Sequence, residues 1–210
     1  MAPFLVGIAG GSGSGKTALA EAVAAAVGPG QATVVPADAY YRDLGHLSRQ
    51  ARAGRNFDEP AALDRERLLA DLAGLRRGEA VARPNYDFAT HTRLATTTLV
   101  PPAPVVLIEG ILVLALPELR ALLELKVFVE AAEETRRQRR TERDCRERGR
   151  TREQAQAQYA ATTLPMHRLH VAPCHALADL VVSGQGELAQ AVAAVVGRLP
   201  ERLDFRVISV

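Results

Sequence analysis

Eight residues near the start of the chain, Gly10-Gly11-Ser12-Gly13-Ser14-Gly15-Lys16-Thr17, constrain its fold more than any other feature. They match GxxxxGK[ST] and stand between an apolar run at 4–9 and a helical pattern at Lys16–Val27, the context this motif requires. The glycines let backbone N–H groups curl toward an anion with no Cβ in the way. The helix N-terminus that follows adds a favourable dipole. Such a loop holds the phosphates of a nucleoside triphosphate: Lys16 is expected to reach the β- and γ-phosphates, and the Thr17 hydroxyl to bind Mg²⁺. Lys16 has one fellow lysine, Lys126, among 26 basic residues, so its presence against an arginine-rich background is notable.

Further apolar runs at 33–36, 105–108, 125–129 and 180–183 are short and followed by polar or glycine-containing sequence, as parallel strands covered on both faces are. Helical patterns occupy 63–77, 131–147, 152–170 and 188–199. This alternation predicts one α/β domain over 1–210, of the P-loop nucleoside triphosphate hydrolase type, with a five-stranded parallel sheet between layers of helices. The stretch 83–102 breaks the alternation. With Tyr86, Phe88, three consecutive threonines at 96–98, Pro101 and Pro102, it predicts a β-hairpin or flap, a place where specificity tends to reside.

The hydrophobic fraction of 48% suffices for a buried core. No apolar run reaches the roughly 20 residues of a membrane span, and the first residues lack the basic start of a signal peptide. Cys145 and Cys174 lack metal-ligand spacing and fit reduced thiols in a cytoplasmic protein. A net charge of +2 does not suggest a nucleic-acid binder. The arginines are nevertheless uneven: Arg136, Arg137, Arg139, Arg140, Arg143, Arg146, Arg148, Arg150 and Arg152 crowd one stretch. A solvated helix face and a phosphate-binding lid both fit; the lack of interleaved aromatic residues argues against nucleic acid.

Two acids follow predicted strands. Glu109 ends the run at 105–108, where a carboxylate can help hold a metal, although a surface acid would look the same. Asp38 follows the run at 33–36, beyond the carboxyl end of a strand, where ligands bind in open α/β sheets. It could accept a proton from a hydroxyl or simply cap a helix. Aromatic residues are only 4% of the chain, yet Tyr40, Tyr41, Phe57, Tyr86 and Phe88 all fall between the second and third strands. A flat ligand would gather them, since stacking on a base is worth about 1–3 kcal/mol; a small satellite core under the flap would gather them too.

Taken in order, Asp38-Ala-Tyr-Tyr-Arg, Asn56-Phe-Asp-Glu-Pro, Tyr86-Asp-Phe-Ala-Thr-His91-Thr-Arg, Glu109-Gly-Ile-Leu and Arg143-Asp-Cys-Arg-Glu-Arg-Gly-Arg150 resemble the uridine-cytidine kinases over about residues 4–183. The resemblance implies transfer of a phosphoryl group from ATP or GTP to the 5′-hydroxyl of uridine or cytidine. It makes Asp38 the general base, acting with Lys16 and Arg143, and gives Mg²⁺ to Thr17, Asp38 and Glu109. It assigns the nucleoside to Asp38, Tyr41, Asp58, Tyr86, His91, Arg140 and Gln158, with Asp58 on the ribose hydroxyls and Tyr86 and His91 on the pyrimidine edge. It assigns ATP to residues 10–17 with Arg148 and Arg150, and makes 132–152 an arginine-rich lid. It further implies a cytoplasmic homo-oligomer, dimer or tetramer, with no nucleic-acid or membrane partner.

The chain departs from the family at Glu59, where histidine is common, and at Ala61 and Leu63; the match fades beyond Ser183 and into the tail at 205–210. Competing readings are another P-loop small-molecule kinase, phosphoribulokinase-like or pantothenate kinase-like, and a non-enzymatic nucleic-acid-binding P-loop protein. The Tyr86/His91 pair and Asp58 speak against the first, because a sugar phosphate has no base to read. A switch or transport ATPase would carry NKxD or LSGGQ, and neither sequence occurs.

Overall fold

A computed structural model describes residues 2–200; the tail at 205–210 lies outside them. The elements run β1 (Phe4–Gly10), α1 (Lys16–Val27), β2 (Ala32–Pro36), α2 (Arg49–Ala53), α3 (Arg65–Arg76), β3 (Val81–Asp87), β4 (Thr92–Val100), β5 (Val105–Glu109), α4 (Pro117–Arg120), β6 (Leu125–Glu130), α5 (Glu133–Glu147), α6 (Arg152–Gln158), α7 (Leu164–Met166), β7 (Leu180–Ser183) and α8 (Leu188–Val196). The parallel sheet has the order β2-β5-β1-β6-β7. All five expected strands are present, each within about a residue of its expected limits.

Strand β5 is buried at every position, as a Val-Val-Leu-Ile run with helices on both sides must be. On one face, Val6 and Ile8 meet Leu19 and Val23 of α1 and Val195 of α8. On the other, Leu5 and Ile108 join the cluster that holds Leu68, Leu72 and Leu75 of α3. Two cores on one sheet make the three layers. Helix α3 starts later than its pattern suggests because the Asp64 carboxylate accepts the Arg67 N–H at 3.2 Å and caps it.

The register positions the site. Ile8 of β1 and Pro36 of β2 both stand opposite Glu109 of β5. The carboxyl ends of β2 and β5 therefore finish level, β1 runs two residues further to Gly10, and the Gly-rich loop, Asp38 and Glu109 all leave the same edge of the sheet.

The expected flap is an antiparallel hairpin, β3 with β4, separate from the main sheet. Its register shifts between Pro84 and Tyr86, next to a proline that has no N–H for a ladder. The helix expected over 152–170 is a single helical run, but it widens to π winding at Tyr159–Thr163 and His167–Val171. Between them sits Pro165, which lacks the N–H of the i→i−4 ladder and crowds the preceding turn. Among the described residues no helix is long and apolar enough to cross a membrane.

Where β7 ends, the Gly184 N–H bonds the Glu130 carbonyl at 2.7 Å, and a Cβ there would overlap the Ser14 carbonyl. Backbone meets backbone at that contact, so neither side can swing aside. Gly184→Ala should lower stability by about 2 kcal/mol, as overpacking does, measured by urea denaturation; an unchanged midpoint would show that the two loops part freely.

Candidate active site

The Gly-rich loop depends on its glycines in two ways. Gly13 and Gly15 have φ of 82° and 100°, left-handed values that a side chain resists. Gly13 also faces the base of α5, where an added Cβ would stand 2.5 Å from the Arg136 carbonyl oxygen. The turn closes with Ser14 N–H on the Gly11 carbonyl, 3.0 Å. Lys16 opens α1 and is buried. Arg143 reaches Ser12 Oγ at 3.4 Å from the α5 side.

Thr17 donates its hydroxyl to Glu109 Oε1 at 3.2 Å. Glu109 is buried, and burial raises its carboxyl above the usual range; Lys16 opposes the shift while nearby Asp38 adds to it. Asp38 lies in the turn Ala37–Tyr40 after β2 and caps nothing there. Among the described residues its hydrogen-bond partner is the Tyr41 hydroxyl, 3.5 Å away. Thr17, Asp38 and Glu109 share the wall of an open concavity of about 660 Å³. Two carboxylates and a hydroxyl are hard oxygen ligands, crowded enough to favour a cation between them. They fit Mg²⁺, which retains waters and phosphate oxygens instead of a full protein cage.

Asp38 also lines a second, enclosed cavity walled by rings. Tyr41 packs edge-on against Phe57, Tyr86 and Phe88, with centroids 5.4, 5.5 and 6.4 Å apart. Phe57 stacks on His91 at 4.7 Å and 15°. Tyr40 is apart from this group: it is core, donating to Asp71 at 3.0 Å. The clustered aromatics are thus cavity wall and satellite core at once. The Tyr86 hydroxyl is buried without a partner among the described residues. His91 sits at the hairpin tip with φ 57°. Burial, then the charges of Arg150 and Arg148, lower its pKa to about 4. A neutral imidazole results, with one donor and one acceptor nitrogen.

Below the rings, Arg140 grips Asp58 through two nitrogens at 3.1 and 3.5 Å, both residues buried, and Thr163 donates to the same carboxylate at 3.0 Å. Gln158 accepts from Arg150. Arg148 lies over the Phe88 ring, 4.9 Å from its centroid. Arg148 and Arg150 therefore meet the ring-lined cavity, whereas the Gly-rich loop is touched by Arg136, Arg139 and Arg143.

Sequence reasoning passed over Asp144, the buried acid within the arginine run. Its carboxylate meets Arg150 at 2.8 Å, Arg143 at 3.3 Å, Arg148 at 3.5 Å and Arg140 at 3.7 Å. Its carbonyl accepts the N–H groups of Arg148 and Arg150. Burial alone would raise its pKa, but the guanidiniums outweigh burial and hold it below the usual carboxylate range. The available signal was an acid four residues from both Arg140 and Arg148. Thr163 gave no such signal, because it meets Asp58 from 105 residues away. A third concavity, of about 380 Å³, adjoins Gly15 and is lined by Ala18, Arg139, Ser183, Gly184 and Leu188; Arg139 donates to the Gly184 carbonyl at 2.8 Å.

Asp144→Asn would leave four guanidiniums without their shared counter-charge. A loss of about 3–5 kcal/mol is expected, as for breaking a buried ion pair, read from urea unfolding; a loss under 1 kcal/mol would mean that solvent already screens the cluster.

His91 makes stability depend on pH. Its ordinary value is 6.5 and its folded value about 4, so between these the unfolded chain takes up a proton that the folded chain refuses. The contribution is complete above pH 6.5 and disappears as pH falls toward 4. His167, also held near 4 by burial and Arg136, acts in the same direction. From pH 7 to 4.5 the wild-type chain should lose about 2 kcal/mol more unfolding free energy than His91→Gln; parallel pH profiles would refute this.

Comparison with known proteins agrees with this geometry. Residues 5–189 match the model of the phosphoribulokinase / uridine kinase family. The uridine kinase of Chloroflexus aggregans is 43% identical over 202 residues, covering 96% of this chain and 97% of that one. The uridine kinase of Clostridium perfringens is 37% identical over 201 residues, with coverage of 96% and 97%. Among solved structures, a putative fructose transport system kinase from Silicibacter superposes with a TM-score of 0.71 at 26% identity, covering 86% of this chain and 90% of that one.

Proposed function

The chain belongs to the phosphoribulokinase / uridine kinase family, and from that premise we propose that it phosphorylates the 5′-hydroxyl of uridine or cytidine with ATP or GTP as donor. One observation carries the reading: Asp38 lines both the concavity of Thr17 and Glu109 and the ring-walled cavity that ends at His91. A carboxylate at that junction can face a γ-phosphate on one side and a sugar hydroxyl on the other.

In this reading the residues divide the work. The Gly-rich loop and Lys16 hold the donor phosphates, and the groove beside Gly15 takes the donor base. Thr17, Asp38 and Glu109 would hold Mg²⁺, which when bound neutralises phosphate charge. Asp38 accepts the proton of the 5′-hydroxyl as the oxygen attacks phosphorus. Tyr41, bonded to Asp38, keeps that carboxylate turned toward the sugar. Arg143 lies between Ser12 and the cavity, where it can stabilise charge on the moving phosphoryl group. Asp58, already gripped by Arg140 and Thr163, has lone pairs left for ribose hydroxyls. The rings enclose a planar base, and neutral His91 reads its edge with either nitrogen, so uracil and cytosine are both acceptable. A sugar-phosphate kinase would have no use for the rings or for an uncharged histidine.

The test supplies ATP and Mg²⁺ with uridine, cytidine, ribulose 5-phosphate or pantothenate and follows ADP release. Stimulation by the pyrimidine nucleosides alone is expected; stimulation by ribulose 5-phosphate or pantothenate instead would overturn the substrate class. Asp38→Asn should lower kcat by about 10²–10⁴ with the nucleoside KM nearly unchanged. A wild-type kcat in that variant would remove Asp38 from proton transfer.

A further inference from the structure

Arg136, in the first turn of α5, lies behind the Gly-rich loop with no counter-charge of its own. It is 5% exposed. Its Nε donates to the Ala131 carbonyl at 3.0 Å, while Nη1 is buried without an acceptor among the described residues. Among the described residues it enters no ion pair, unlike Arg137, Arg140, Arg143, Arg146, Arg148 and Arg150 around it. Its charge bears on His167 and Tyr159, whose Nδ1 and hydroxyl are buried without partners among the described residues, while the acid that shares its concavity, Glu130, makes no ion pair with it.

The loop is shaped around this side chain. A Cβ at Gly11 would stand 2.5 Å from Arg136 Nη1 and 2.8 Å from its Cδ, and one at Gly13 would meet the Arg136 backbone. Two glycines of the phosphate loop are thus the places where residue 136 enters. A guanidinium is costly to bury unpaired, and the cost falls when an anion comes close. On the reading that donor phosphates occupy this loop, they are the anions that arrive, with one layer of backbone between them and the cation.

We propose that Arg136 is a positioning residue for the donor: acting through the Gly11–Gly13 backbone without touching the phosphates, its charge raises nucleotide affinity and keys the base of the lid helix to the loop. The rival role is that of a space-filling prop, for which charge is irrelevant. The two differ in what an uncharged side chain of similar length does.

ATP affinity, measured by calorimetry at several ionic strengths, separates them without needing an acceptor substrate. Arg136→Met should weaken ATP binding about tenfold, the scale of one charge acting across a short, partly screened path, and flatten its dependence on salt. Arg136→Lys, which keeps the charge, should restore most of the affinity. Melting temperatures identify a variant that folds badly; if the methionine variant does, Arg136→Gln provides the same neutral comparison. Wild-type affinity and salt dependence in a folded neutral variant would overturn the proposal, as would a lysine variant no better than methionine. A wild-type chain that fails to bind ATP at all would instead remove the functional reading on which the proposal rests.

Discussion

Level strand ends are the constraint from which the rest of this molecule follows. A parallel sheet places the carboxyl ends of its strands along one edge, and here β2 and β5 finish in step at Pro36 and Glu109, level with Ile8 of β1, which runs on to Gly10. From that edge the chain delivers an anion-cradling loop, an acid on a tight turn and a second acid paired with Thr17. None of these needs a long reach, because backbone hydrogen bonds in the sheet have already set their spacing. A one-residue slip of β2 against β5 would turn its side chains to the opposite face and carry Asp38 away from Thr17 and Glu109. The register is secured in turn by two apolar cores that cover both faces and tolerate no polar side chain in their place.

Charge is handled differently on the two sides of that edge. Around the ring-lined cavity the buried carboxylates are paired: Asp58 has Arg140 and Thr163, and Asp144 has four arginines. Such pairs contribute less to net stability than their Coulomb attraction suggests, since desolvation opposes it. What they supply is a fixed direction for each guanidinium in a segment whose sequence is mostly arginine. Around the Gly-rich loop, Arg136 has no counter-charge among the described residues, and burial raises the pKa of Glu109. Both arrangements suit a site completed by a polyanion and a cation.

The sheet, the hairpin and the Gly-rich loop were legible in the sequence because each has a local cause. Apolar runs of four to six residues make strands, Gly13 and Gly15 make a loop that only glycine permits, and Pro101-Pro102 ends the flap. Asp38, Tyr86 and His91 were legible as a constellation, and the structure brings them to one cavity. What escaped notice depends on meetings that no spacing announces. Thr163 reaches Asp58 only because α6 and its π-wound continuation lie along the cavity floor. Arg148 and Arg150 line the ring-walled cavity, with Arg148 also on the concavity of Thr17 and Glu109, and Asp144 ties both in place. Part of the run is a solvated face, since Arg137, Arg139, Arg146 and Arg152 are exposed, while Asp144 draws Arg140, Arg143, Arg148 and Arg150 together.

Arg148 also sets a condition for entry. With its guanidinium over Phe88, the ring-lined cavity keeps only about 30 Å³ of free space, enough for about one water and far too little for a pyrimidine. The concavity beside it, which shares Asp38, Tyr86, Phe88, Arg143 and Arg148, is open. A planar ligand stacked on Phe88 would displace Arg148 from that face, exchanging a cation–π contact for a stacking contact of similar size. Because Arg148 is tied to Asp144, and Asp144 to Arg140, Arg143 and Arg150, the displacement reaches the whole cluster and not one side chain. On the proposed reading, an acceptor that fills the cavity and one that only grazes it would leave the arginines differently placed, so the cluster would answer to a bound nucleoside and not to water.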